Sequence, residues 1–115
     1  MTYTGSCHCG QVRFEIDGEI EDVIDCNCSI CARKGALLWG TSAKNFRLLT
    51  PEGVLGTYRF NKEAIGHRFC TTCGMHPFAR GLDRSGTDFV MVNVRCLDDV
   101  DVASLNVQHF DGRAL

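Results

Sequence analysis

Residues 5–16 read GSCHCGQVRFEI, and each half of the stretch carries its own signal. In the second half Val12, Phe14 and Ile16 alternate with Arg13 and Glu15, the period-two pattern of a strand with one buried face. In the first half Cys7 and Cys9 are separated by one residue and followed by Gly10. Two cysteines this close reach one metal when the backbone turns sharply. A glycine just after them takes positive φ at little cost and lets backbone N–H groups point at the sulfurs.

Outward from this stretch the chain repeats the strand signal in short pieces. FVMVNVR at 89–95 is the strongest, with Val90, Val92 and Val94 on one face. Val54 to Phe60 reads similarly, with Tyr58 and Phe60 on one side and Thr57 and Arg59 on the other. Weaker strands are expected at Val23–Cys26, Leu37–Ser42, Phe46–Leu49 and His67–Phe69. The one helical candidate is Ser29–Lys34, with Ser29 as its cap. Many short strands between scattered glycines imply a mainly β, mostly antiparallel fold. Trp39, Phe60, Phe69 and Phe78 are read as core, some of them able to wall a pocket.

The chain has 115 residues, the size of one domain spanning 1–115. It is 44% hydrophobic and 23% charged, which excludes a disordered chain. Its formal charge of −2 gives no electrostatic footprint for nucleic acid. The longest apolar runs, such as Ala36–Trp39 and Phe89–Val92, are far too short for a membrane span. The opening MTYTGSCHCG shows no secretory signal pattern, so a cytoplasmic location is expected. In that reducing setting eight cysteines read as metal ligands and not as a disulfide scaffold.

Seven of the eight cysteines fall into three clusters: Cys7 and Cys9; Cys26, Cys28 and Cys31; Cys70 and Cys73. Glycine follows Cys9 and Cys73, whereas Ala32 follows Cys31. That asymmetry pairs the two glycine-bearing knuckles in one closed four-cysteine site, a structural zinc that closes a long loop. Cys26, Cys28 and Cys31 then supply three thiolates and an open position, the pattern of a catalytic zinc. Two alternatives stay open on spacing alone. Cys96, His67, His76 or an acid completes the middle site, or Cys7 and Cys9 pair with the middle cluster instead.

With these residues on view the chain resembles the glutathione-dependent formaldehyde-activating enzyme family, also called the centromere-protein-V-type domain. The resemblance is carried by GSCHCGQVRFEI at 5–16, CNCSICARKGAL at 26–37, Tyr58-Arg59-Phe60 and HRFCTTCGMHPFARG at 67–81, with VNVRCLDD and HFDGR towards the end. It implies an Mss4-like β fold with two zinc ions per chain. Cys7, Cys9, Cys70 and Cys73 match the family's structural zinc ligands, and Cys26, Cys28 and Cys31 those of its second, catalytic zinc. The implied activity is that of S-(hydroxymethyl)glutathione synthase, a carbon–sulfur lyase. Its implied partners are a small thiol such as glutathione and a small aldehyde, formaldehyde.

Such chemistry needs a thiolate and a donor for the alkoxide that forms when it adds to the aldehyde. Arg33 and Lys34 are candidate partners for a substrate carboxylate, against the plainer reading of a solvated turn. Asp25 is the nearest acid to the cluster, against the reading of an exposed strand residue. His8, between two candidate ligands, is expected to point away from the metal. His67 and His76 flank the second knuckle, where hydrogen bonding around the metal site or turn shaping is expected. His109 reads as a surface or packed residue, and Cys96 as a small buried hydrophobe. Two other functions compete with the enzyme: a non-enzymatic zinc-binding scaffold or interaction domain, and a redox- or zinc-sensing cluster.

Overall fold

The computed structural model describes residues 1–59 and 65–114. Among these residues ten strands form two sheets. β1 (Thr2–Ser6), β2 (Arg13–Asp17) and β5 (Phe46–Leu48) make a three-stranded antiparallel sheet in the order β1-β2-β5. The larger sheet contains β3 (Asp22–Cys26), β4 (Leu38–Ser42), β6 (Leu55–Tyr58), β7 (Ile65–Cys70), β8 (Phe78–Leu82), β9 (Asp88–Asn93) and β10 (Asn106–Phe110). Its order is β10-β3-β4-β9-β8-β7-β6, antiparallel except for the β10–β3 pair, which is parallel. The mainly β expectation holds.

The main core follows from the alternation read in the sequence. Val12, Phe14, Ile16, Val90, Val92 and Val94 are each fully buried in one apolar cluster. Phe14 stacks on Phe46 at 5.4 Å between centroids, and Phe78 meets both rings at 6.0 and 4.6 Å. Trp39 and Phe78 are core as expected, while Phe69 is only half-buried. Phe60 lies outside the described residues.

The larger sheet also carries a second, smaller apolar cluster on its other face. Neighbouring residues of its strands divide between the two: Val23 and Ile24, Leu38 and Trp39, Val90 and Met91. Cys26 and Cys31 belong to this second cluster, with Ala36, Leu38 and the flanking Ile24, Ile30 and Met91. Cys7 and Cys70 belong to the main core. The sheet therefore separates the two sets of cysteines.

Several expectations are corrected in detail. The strand at 89–95 ends at Asn93, and Val94–Cys96 form a 3-10 turn in which Asn93 Oδ1 accepts from Arg95 N at 3.2 Å. Val94 keeps its burial because its N–H is held by Leu37 O at 2.8 Å. Of the Val54–Phe60 strand, Leu55–Tyr58 is observed, with Val54 in a preceding 3-10 turn and Tyr58 about half exposed. The helix α1 spans Ser29–Lys34, but Cys28 is its N-cap and no side chain caps it. Ser29 already has helical geometry, so its hydroxyl is not placed to take an end N–H. The strands β1, β8 and β10 lacked a sequence signal: β1 sets Thr, Gly and Ser around a single Tyr, β10 is mostly exposed, and β8 is interrupted by Gly81.

Because Phe14 is fully buried between two other rings, Phe14→Ala leaves a cavity the core cannot close. The expected loss is about 3–5 kcal/mol in denaturant unfolding at unchanged m-value.

Candidate metal centres and the adjoining cleft

The first cysteine set is assembled by two backbone turns. Cys7 follows β1, and its N–H donates to Val12 O at 3.0 Å. Cys70 ends β7, where Gly74 N donates to Cys70 O at 2.9 Å and Cys70 N to Met75 O at 2.9 Å. Gly10 and Gly74 both sit in the left-handed region, at φ 85° and 80°, as the sequence required of them. Backbone N–H groups reach the sulfurs: Val12 N to Cys7 Sγ at 3.3 Å, and Thr72 N and Cys73 N to Cys70 Sγ at 3.4 Å each. Cys7 and Cys70 are buried, while Cys9 and Cys73 face solvent.

The four sulfurs lie within 4.8 Å of one another and could hold a metal ion. Cys7 Sγ to Cys9 Sγ is 3.7 Å, and Cys9 Sγ to Cys70 Sγ, from residues 61 positions apart, is 3.6 Å. Sulfurs held about 2.3 Å from a tetrahedral zinc are about 3.8 Å from each other, so the donor set fits that ion. The thiols shift one another and are shifted by the backbone around them. The N–H groups of Met75 and Cys9 draw the Cys73 thiol down to about 6. Cys9 accepts from Gln11, yet desolvation and the sulfurs of Cys70, Cys7 and Cys73 push it up to about 11.

The second set uses the junction between β3 and α1. Cys26 ends the strand, Cys28 caps the helix in extended geometry, and Cys31 lies in its first turn. Their sulfurs also lie within 4.8 Å of one another and could hold a metal ion. Among the described residues no fourth Cys, His, Asp or Glu joins this set at that spacing, and Cys7 and Cys9 group with Cys70 and Cys73. Burial, then the neighbouring thiols Cys28 and Cys26, push Cys31 up to about 12. Cys28 is shifted the other way: its partial burial is outweighed by the N–H groups of Cys31 and Ile30 and the sulfurs of Cys31 and Cys26.

A cleft of about 700 Å³ adjoins this second set, between α1 and the ends of β6 and β7. Ser29, Ile30, Arg33 and Lys34 line it from the helix, facing Tyr58, Phe69 and His76. Lys34 is half-buried, which lowers its pKa, while the thiols of Cys31, Cys28 and Cys96 pull it back up. It is thus the cation nearest in effect to the cluster. His76 tilts against Phe69 at 5.5 Å, and its buried Nδ1 has no hydrogen-bond partner among the described residues. Burial and the Lys34 charge keep His76 below its ordinary value, and burial, Lys34 and His76 hold His67 at about 4.

The other sequence candidates fall outside the cleft. His8 is exposed and joins neither cysteine set. Asp25 is half-buried and pairs with the exposed His109, Oδ2 to Nδ1 at 3.3 Å. Cys96 is half-buried beside the main core, and burial raises its thiol to about 11. Tyr58 as a cleft wall escaped the sequence reading, since alternation alone cannot tell an exposed strand residue from one facing a groove.

A family model described as "Glutathione-dependent formaldehyde-activating enzyme" matches residues 2–111. In structure the chain is similar to a crystal structure of a Rhodobacter sphaeroides protein solved as a structural-genomics target. The two share 29% identity over 94% of this chain and all of that one, with a TM-score of 0.78. Among the described residues no helix is long and apolar enough to cross a membrane.

Two outcomes test this geometry. Cys73 is exposed, so Cys73→Ser without a bound metal changes stability by no more than roughly 0.5 kcal/mol. With the metal in place, losing a ligand costs several-fold more than that, which urea unfolding before and after chelation measures. His67 stays neutral from pH 8 to 5 in a ring-proton NMR titration, and Lys34→Met moves its midpoint upwards from about 4.

Proposed function

The chain belongs to the glutathione-dependent formaldehyde-activating enzyme family, and on that premise we propose that it is a zinc-dependent carbon–sulfur lyase. Its reaction joins a small thiol such as glutathione to formaldehyde as the S-hydroxymethyl adduct, and reverses it. The single observation that carries this reading is a cluster of three cysteines with no fourth donor among the described residues, beside a cleft that is apolar on one wall and cationic on the other. Residues 1–115 act as one unit in the cytoplasm, with zinc at Cys7, Cys9, Cys70 and Cys73 as a structural cross-link. Cys26, Cys28 and Cys31 hold the second, catalytic zinc.

Zinc on three thiolates supplies a Lewis-acid position at which a substrate thiol is held deprotonated at neutral pH. The chain's own residues do the rest. Phe69, Tyr58 and Ile30 wall the cleft and limit water around the reacting atoms. The substrate sulfur forms a bond to the aldehyde carbon, and the carbonyl electron pair moves onto oxygen. Lys34 is the group we assign to that alkoxide: its half-buried ammonium donates a hydrogen bond, then the proton, and is recharged by the proton the thiol released. Arg33, exposed at the cleft mouth, is assigned to a substrate carboxylate. His76 is kept neutral, which spares the site a further cation that would compete for the thiolate.

The test is NMR exchange spectroscopy of ¹³C-formaldehyde with glutathione, with the spontaneous rate subtracted. Zinc-loaded protein is expected to accelerate exchange, Cys28→Ser to abolish the acceleration, and Lys34→Met to reduce it roughly 10²-fold. No acceleration by protein carrying two zinc ions would leave a zinc-binding scaffold as the function.

A further inference from the structure

The cluster of Cys26, Cys28 and Cys31 has a wall that its own segment does not provide. β10 runs parallel to β3 in a register that ends at Phe110 opposite Cys26, so the chain beyond it passes over the cluster. Asn27, lodged between two of the cysteines, takes hold of that segment with three groups. Its N–H donates to Phe110 O at 3.1 Å, its Nδ2 to Asp111 Oδ1 at 2.9 Å, and its Oδ1 accepts from Arg113 N at 2.9 Å.

Gly112 sits inside this clamp, against the sulfur. A Cβ at Gly112 would lie 2.5 Å from Cys26 Sγ and 3.2 Å from Cys28 Cβ. Gly112 is not among the glycines of positive φ, so its demand is for space beside the sulfur and not for an unusual backbone.

We infer that residues 110–113 are a strap that positions Cys26 and Cys28 for a metal, with Asn27 as its anchor and Gly112 as its point of contact. A sulfur backed by main chain on one side keeps fewer directions in which to present its lone pairs. The strap thereby converts two cysteines on a strand end and a helix cap into a preset pair. By linkage, metal at the cluster and the docked strap stabilise each other. The inference rests on the proposed metal at these three cysteines and is independent of the substrate.

Native mass spectrometry and cobalt(II) titration of the full chain test it, with Gly53→Ala as control because nothing lies near that position. Wild type and the control are expected to bind two metals. Gly112→Ala and Asn27→Ala are expected to keep the four-cysteine metal and to bind the second at least tenfold more weakly, with shifted cobalt–thiolate d–d bands. Asn27→Asp combined with Asp111→Asn exchanges donor for acceptor across the clamp and restores the second metal. If wild type binds one metal, the reading of the cluster as a metal site fails and takes the strap with it. If wild type binds two and both single variants match it in affinity and spectrum, the strap alone is overturned.

Discussion

Four sulfur atoms converge to tetrahedral spacing from knuckles 61 residues apart, and the arrangement of the chain depends on that convergence. Backbone N–H groups hold the Cys73 thiol low, near 6, while desolvation and the neighbouring sulfurs hold Cys9 high, near 11. A divalent cation bound by all four would tie the two sheets together, since Cys7 follows β1 and Cys70 ends β7. In a chain this short, burial alone gives modest stability, and closing so long a loop removes much of the unfolded chain's freedom. The burial pattern fits a cross-link set at the margin of a core: the first cysteine of each knuckle is buried with the aromatic side chains, and the second faces solvent.

The larger sheet then divides labour between its faces. Strand alternation sends Val23, Trp39 and Val90 into the main core and Ile24, Leu38 and Met91 to the other side, where Cys26 and Cys31 lie. The two cysteine sets therefore sit with different apolar clusters, Cys7 and Cys70 with the aromatic core and Cys26 and Cys31 with the smaller one. On the proposed metal reading, a change of ligation at Cys26, Cys28 and Cys31 would act first on that smaller cluster and on α1.

Much of this was legible in the residues. Alternation identified the buried faces of β2 and β9, and the glycines after Cys9 and Cys73 announced left-handed turns before any geometry was known. Ligand count and glycine placement favoured pairing the two knuckles while spacing left another partition open, and the sulfurs group by knuckle. What stayed hidden has a common cause. β10 is mostly exposed and β1 carries one large side chain, Tyr3, among Thr, Gly and Ser, so each is placed by its partner strand's hydrogen bonds and no periodicity marks it. Ser29 carried a capping residue's identity, but Cys28 holds the extended N-cap geometry, which one-dimensional propensity does not register. The reading of Phe60 falls on residues the structure does not describe.

The roles of Asn27 and Lys34 were the hardest to see because each depends on segments far away in sequence. Asn27 looks like a spacer between two cysteines until residues 110–113 are folded against it. Lys34 looks like a solvated helix end until β6 and β7 raise the far wall of the cleft and bury its stem. A lysine at a helix C-terminus is already favoured by the helix dipole, so its presence needs no further cause. Its half-burial does, because desolvation works against the charge there and is offset in part by the thiols of Cys31, Cys28 and Cys96. On the proposed reading, a cation held at that cost beside Cys28 and Cys31 would offset the charge by which three thiolates exceed a single divalent metal, and it ties the helix, the cleft and the cysteine cluster together.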